Sequence, residues 1–220
     1  NLIGIVFANP NYIYPNDIRI TDDIDFTNCV DVVDVNGDGK EDVLVANTGI
    51  NYVYISTYRY GIDWPLTPVT CRYPITNDSH DSQHIHSGDI DGDGDIDAVV
   101  ANNGINYVYF NTGPGGPHAG GGNGTSWTSQ ALTTDSDSSR SVHLADIDGD
   151  GDLDAVVGNN GINKIYFNNG LLPGGGISWS VANLTNDSHN TYSIAIGDLD
   201  GDGDMDVAVG NGYTSLALDD

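Results

Sequence analysis

The chain has 220 residues, enough for one sizeable core or a short array of repeats. Its 32 acidic residues against 6 basic ones give a formal net charge of −26, which argues against nucleic acid and anionic membranes as partners. With 38% hydrophobic residues in β-like patterns the acidity does not signal disorder, and no stretch approaches the ~20 apolar residues of a membrane-spanning helix.

In chain order, residues 5–9 (Ile-Val-Phe-Ala-Asn) and 17–20 (Asp-Ile-Arg-Ile) read as strands matching the third and fourth strands of the units that follow. The chain therefore opens in the middle of a unit. A lead-in, Ile20-Thr-Asp-Asp, recurs at Ile75, Leu132 and Leu184, each time 14 residues before an acidic loop. Between lead-in and loop runs a short alternating segment, as in His84-Ile-His-Ser-Gly or Ser141-Val-His-Leu-Ala, which predicts a first strand. The loops begin at positions 34, 89, 146 and 198, spacings of 55, 57 and 52 that suit small sheets in an array.

Past each loop comes an apolar run: Val43-Leu-Val-Ala, Ala98-Val-Val-Ala, Ala155-Val-Val-Gly and Val207-Ala-Val-Gly. Four consecutive apolar residues suit a second strand buried on both faces. Thr48-Gly49, Asn103-Gly104 and Asn160-Gly161 then predict hairpins. The third strands are Tyr52-Val-Tyr-Ile, Tyr107-Val-Tyr-Phe and Lys164-Ile-Tyr-Phe, with the alternation of a half-buried strand. Glycine-rich loops at 113–124 and 170–176 lead to fourth strands opening near Trp127 and Trp179. Residues 214–218 read as a degraded third strand with no fourth.

Each unit is thus an expected four-stranded antiparallel meander, the form of a propeller blade. The expected fold is all-β: one domain over 1–220, a propeller-like array of about four blades with incomplete terminal ones. A partial blade spans 1–19, and the repeats fall at about 20–74, 75–131, 132–183 and 184–220.

The four loops are the most informative feature. They read Asp34-Val-Asn-Gly-Asp-Gly-Lys-Glu-Asp42, Asp89-Ile-Asp-Gly-Asp-Gly-Asp-Ile-Asp97, Asp146-Ile-Asp-Gly-Asp-Gly-Asp-Leu-Asp154 and Asp198-Leu-Asp-Gly-Asp-Gly-Asp-Met-Asp206. Nineteen of the 32 acids sit in them, and such crowding repels unless a cation sits among the oxygens. Oxygen ligands at positions 1, 3, 5 and 9, with glycines at 4 and 6, suit a hard cation with six to eight ligands, Ca²⁺ before Mg²⁺. Asp-Gly turns alone are the plain alternative, and four copies at fixed spacing count against it. An EF-hand needs Glu at position 12, where Val45, Val100, Val157 and Val209 stand. About four bound Ca²⁺ are expected, which would still leave a strongly anionic surface.

The element D-x-D-G-D-G-x-x-D followed by an apolar run resembles the FG-GAP/VCBS repeats of integrin α-subunit heads and many microbial surface proteins. It covers about 34–55, 89–111, 146–168 and 198–218. The resemblance implies a calcium loop between the first and second strands of each blade. The implied side-chain ligands are Asp34, Asn36, Asp38 and Asp42 in the first loop and Asp89, Asp91, Asp93 and Asp97 in the second. Asp146, Asp148, Asp150 and Asp154 follow in the third, and Asp198, Asp200, Asp202 and Asp206 in the fourth. Position 7 gives its backbone carbonyl, from Lys40, Asp95, Asp152 and Asp204. With one carboxylate fewer and an ammonium nearby, the first loop is expected to be the weakest site. The family's propellers usually have seven or so blades. The Phe-Gly/Gly-Ala-Pro signature of integrin blades is absent, so integrin-like ligand binding does not follow.

Other residues were weighed. His86 recurs in phase with His143, and His80 with His189, which favours a repeated strand position over a transition-metal pair formed by His84 and His86. Repetition likewise favours packing over a sugar-binding platform for the Trp and Tyr residues. Sequons occur at Asn77, Asn123, Asn183 and Asn186, with Asn123 the expected site of modification in a secretory eukaryote. Two cysteines, Cys29 and Cys71, exclude a disulfide framework and leave one bridge open. No signal peptide is visible, and Asn1 in place of Met points to a processed or trimmed product.

No nucleophile–base pair, phosphate loop or zinc motif is present, so a non-enzyme is expected. The expected function is an extracellular calcium-binding repeat protein in adhesion or recognition, or a filament or surface subunit self-associating through incomplete terminal blades. A glycan-binding propeller and an accessory domain of a larger secreted enzyme are the alternatives.

Overall fold

The computed structural model describes residues 4–5, 18–19, 26–56, 72–113, 120–132, 134 and 136–212. Two short strands, β1 (Gly4–Ile5) and β2 (Ile18–Arg19), pair antiparallel in a sheet of their own. That matches the expected third-and-fourth-strand pairing at the N-terminus; residues 6–9 and the strand expected at 214–218 lie outside the described residues.

The other twelve strands form one open antiparallel sheet, with no helix among the described residues. It is built from repeated meanders. In the first unit β3 (Phe26–Val33), β4 (Asp42–Gly49), β5 (Tyr52–Tyr54) and β6 (Arg72–Pro74) pair in sequence. The second repeats this with β7 (His80–Gly88), β8 (Asp97–Gly104), β9 (Tyr107–Asn111) and β10 (Trp127–Ala131). Short pairings join successive units, Thr48 and Gly49 with Asp81 and His80, then Asn103 and Gly104 with Ser138 and Asp137.

The third and fourth units depart from the expected pattern. They consist of β11 (Asp137–Ala145), β12 (Asp154–Leu171), β13 (Ile177–Gly197) and β14 (Asp206–Asn211). A strand break was expected at Asn160-Gly161, yet β12 runs through it, pairing with β11 up to Asn159 and with β13 from Asn160 onward. Gly161, at φ 145°, shares its backbone conformation with Gly49 and Gly104, which likewise pair with the next unit; here the strand runs on because Ile162 also pairs, with Ser188. In the same way β13 pairs with β12 through Asn190 and with β14 from Thr191, merging three expected segments into one strand.

The apolar runs are buried on both faces, as their composition demands. In β8, Ala98 and Val100 pack with Leu44, Ala46 and Val53 of the first unit, while Val99 and Ala101 pack with Val142, Ala155 and Val157 of the third. Alternation along one strand therefore feeds two cores. Each core joins unlike faces of neighbouring units. The first unit's far face carries a small cluster of its own, Val43, Val45 and Tyr54.

A polar contact repeats alongside these cores. Asn111, 1% exposed, donates its side-chain amide to the Val35 carbonyl in the preceding unit's acidic loop at 2.9 Å. Asn168, 2% exposed, does the same to the Ile90 carbonyl at 2.8 Å. Asn168→Ala strands a buried carbonyl and should cost about 1–3 kcal/mol, whereas Asn169→Ala on the exposed flank should cost under about 0.5 kcal/mol. Denaturant melts of the two variants beside the wild type check this; equal losses would contradict it.

Candidate metal centre

Each acidic loop connects a first strand to a second. In the second loop Gly92 and Gly94 take φ values of 74° and 94°, which turn the backbone so that amide N–H groups point inward. Asp89 then accepts a hydrogen bond from Gly94 N at 3.1 Å, and Asp91 from Asp93 N, also at 3.1 Å. The other loops repeat the curl. Asp34 accepts from Asp38 N and Gly39 N, Asp146 from Gly149 N, Asp150 N and Gly151 N, and Asp198 from Gly201 N and Gly203 N.

Three groups of carboxylates converge among the described residues: Asp89 with Asp91 and Asp97, Asp146 with Asp148 and Asp154, and Asp198 with Asp200 and Asp206. Within each group one oxygen per residue lies within 4.8 Å of the others. These are loop positions 1, 3 and 9. In the first loop position 3 is Asn36, whose side-chain oxygen accepts from Asp38 N at 2.9 Å, and Asp34 and Asp42 keep the other two places.

Position 5 is not drawn into these groups. Asp38, Asp93, Asp150 and Asp202 each accept from the N–H of position 7, at 2.9 to 3.0 Å. The second oxygen of Asp38 meets Lys40 Nζ at 2.5 Å, so an ammonium of the chain already sits beside this carboxylate. Asp93 and Asp95 also accept from Gly120 N and Gly122 N, which lays the glycine-rich segment against the second loop. The side chains of Asp95, Asp152 and Asp204 at position 7 lie outside the convergent groups.

Position 9 is the anchor. Asp97 is fully buried and spends one oxygen on Ile90 N at 3.1 Å and the other on Asn111 N at 2.9 Å, at the end of the third strand. Asp42 binds Val35 N and Ser56 N, and Asp154 binds Ile147 N and Asn168 N, in the same way. Asp206 accepts the equivalent loop bond from Leu199 N, and the position matching Asn168 lies outside the described residues. Each carboxylate oxygen retains a lone pair, so these bonds do not bar a metal.

The cation-free protein holds these carboxyls at a cost. Burial pushes Asp97 from 3.8 to about 8, helped by the charges of Asp91 and Asp93 and opposed by its two N–H donors. Burial likewise lifts Asp42 to about 6 and raises Asp154. A folded-state value above the unfolded one favours folding below 3.8, and that contribution is lost as pH rises through about 6 and about 8. The chelated protein should therefore melt higher at pH 5 than at pH 8, while calcium binds more weakly at pH 5 because protons compete. Scanning calorimetry and calcium titration at both pH values test this; the reverse order in either would refute it.

Several expectations about other residues can be placed. His86 and His143 face equivalent residues across their strand pairs, Val99 and Val156, and His80 and His189 lie opposite the hairpin glycines Gly49 and Gly161. Both pairs occupy repeated strand positions, as their phase implied. Tyr109 and Tyr166 are buried, and Trp127 and Trp179 pack against the cores. Asn77, Asn123, Asn183 and Asn186 are all exposed, and Asn123 accepts from the Thr125 hydroxyl at 2.6 Å. Cys29 carries a free thiol, raised above its ordinary value chiefly by burial, and Cys71 lies outside the described residues.

Sequence reasoning missed the hairpin asparagines. Asn47, Asn102 and Asn159 each donate from the main chain to the side chain of Asn51, Asn106 or Asn163 at 2.8 Å. Asn51 and Asn106 then donate to Ser82 and Ser139 of the next unit at 3.0 Å. The signal was present as a threefold Asn-x-Gly-Ile-Asn repeat, of which only the x-Gly turn had been read.

Fold and site together define an all-β repeat protein with a candidate cation cluster in the turn between the first and second strands of its units. The FG-GAP-like repeat matches residues 34–100, 89–157 and 146–209, and the chain belongs to that family. Each match opens on the first aspartate of one loop and closes in the apolar strand after the next. No individual curated protein matches the chain.

Proposed function

We propose that this chain is an extracellular, calcium-loaded repeat module that works by binding and assembly and not by catalysis. The observation that carries the reading is the convergence of positions 1, 3 and 9 in three loops, within 4.8 Å, around a buried or half-buried position 9. All-oxygen donors in a flexible loop suit Ca²⁺, and extracellular modules bind it with dissociation constants of about 10⁻⁴–10⁻³ M. The fourth calcium is assigned to the first loop, where Asn36 replaces a carboxylate and Lys40 competes for Asp38.

At roughly millimolar calcium, a site of about 10⁻⁴ M adds about 1.4 kcal/mol to stability by mass action. Four such sites approach ~6 kcal/mol, comparable to the whole stability of a typical domain. Calcium is thus structural. Chelation should lower the melting temperature markedly, and titration calorimetry should resolve one site weaker than the rest, abolished by Asp34→Ala. An unchanged melt in EDTA, or a first loop that binds as tightly as the others, would defeat the assignment.

Assembly is the favoured mode of action because, among the described residues, strands β3 and β14 carry exposed faces. Val30 of β3 is 44% exposed, although its counterparts Ile85 and Val142 are at most 1% exposed in cores shared with a preceding unit, and Val32, 56% exposed, corresponds to the half-buried Ser87 and Leu144. At the other end Ala208 and Gly210 of β14 are exposed where Val99 and Ala101 meet a following unit. Unlike faces pair inside the molecule, so unlike end faces of two copies can pair head to tail. A recognition role for the exposed loops is the second reading, favoured by the glycine-rich segment lying over the second acidic loop. Sedimentation and negative-stain imaging in calcium should show chains of copies that Val30→Asp with Val32→Asp disperses. A wild type monomeric at every concentration would sink assembly and leave recognition.

A further inference from the structure

Three imidazoles from two units meet on the first strands. His84 and His86 are two residues apart in β7, on the face opposite Ile85, which is buried against the first unit. His143 of β11 comes up beside both, its ring centroid 5.3 Å from His84 and 4.9 Å from His86. Phase alone gave His86 and His143 the same register position. It did not place their strands side by side.

Two nitrogens of this cluster lack partners. Nδ1 of His84 and Nδ1 of His86 are buried without a hydrogen bond. The Val142 main chain of the next unit's first strand lies beside the His84 ring. A neutral imidazole whose buried nitrogen has no hydrogen-bond partner has a lone pair to offer a metal. Burial, with the neighbouring rings, holds His84 and His143 below the ordinary histidine value, and burial does the same to His86, so all three are neutral at pH 7. Asp31 of β3 accepts from Ser87 N and Oγ at 2.8 and 2.7 Å, which puts a negative charge next to the group.

We propose that His84, His86 and His143 form a site for a borderline divalent transition ion of the Zn²⁺ class, distinct from the four oxygen loops. A His-x-His pair on one strand with a third histidine from the first strand of the following unit supplies three nitrogen ligands, and water completes a tetrahedron. Imidazole suits Zn²⁺ or Co²⁺, while carboxylate and carbonyl loops suit Ca²⁺, so the two kinds of ion sort by donor. The ring nitrogens are not among the groups already within 4.8 Å of one another, so binding turns the rings about their side-chain bonds. The ion would tie the second unit to the third.

The test is titration of the whole chain with Co²⁺ in millimolar calcium, which keeps the acidic loops filled. One equivalent should give the intense visible bands of tetrahedral cobalt, and His84→Gln or His143→Gln should weaken binding roughly tenfold or more. Because a variant can fail to fold, the wild type is also followed by NMR with Zn²⁺. Ring resonances of three of the six histidines should move together and saturate at one equivalent. Cobalt spectra that stay octahedral, or ring resonances that do not move, overturn the site.

Discussion

A carboxylate with no water around it is the constraint on which each unit depends. Asp42, Asp97 and Asp154 stand fully buried at the start of the second strand, where they bind the loop with one oxygen and the end of the third strand with the other. That single side chain sets the entry to the sheet, closes the acidic loop and fixes the hairpin's far end. Its negative charge is poorly tolerated in such a place unless a cation or a proton accompanies it. The acidic cluster is therefore more than a ligand set. It is the means by which a small sheet can bury an ionisable group at its corner.

The second demand is geometric. A four-stranded sheet of this size cannot bury enough apolar surface alone, so its second strand is apolar on both faces and shares cores with both neighbours. Polar contacts follow the same logic. Asn111 and Asn168 reach back to the preceding loop, while Asn51 and Asn106 reach forward to a serine of the following unit. Loop, hairpin and core thus all carry one unit's order into the next.

Much of this could be read from the residues. The 14-residue offset of lead-in and loop, the apolar quartets and the x-Gly turns placed the strands of the first two units to within a few positions, because turn chemistry and burial leave few alternatives. The loops' convergent positions 1, 3 and 9 followed from the spacing of aspartates. What escaped was tertiary. Nothing local tells the strand to run on past Asn160-Gly161 and to end at Thr48-Gly49: both turns pair with the next unit's first strand, and only Ile162 goes on to pair with Ser188. Position 5 also accepts from the loop backbone, and Asp93 is met by a glycine-rich segment 27 residues away, a contact no local pattern encodes.

The long strands β12 and β13 give the array an uneven grain. The first and second units, and the second and third, are stitched by two paired residues at each junction, whereas the third and fourth pair through Asn160, Gly161 and Ile162 and share the continuous strand β13. Fraying of the last unit must drag on the hydrogen bonds of its neighbour, while the earlier junctions can part with little backbone loss. Opening under load or heat would then travel along the molecule in steps of different size, with the C-terminal pair behaving as one block.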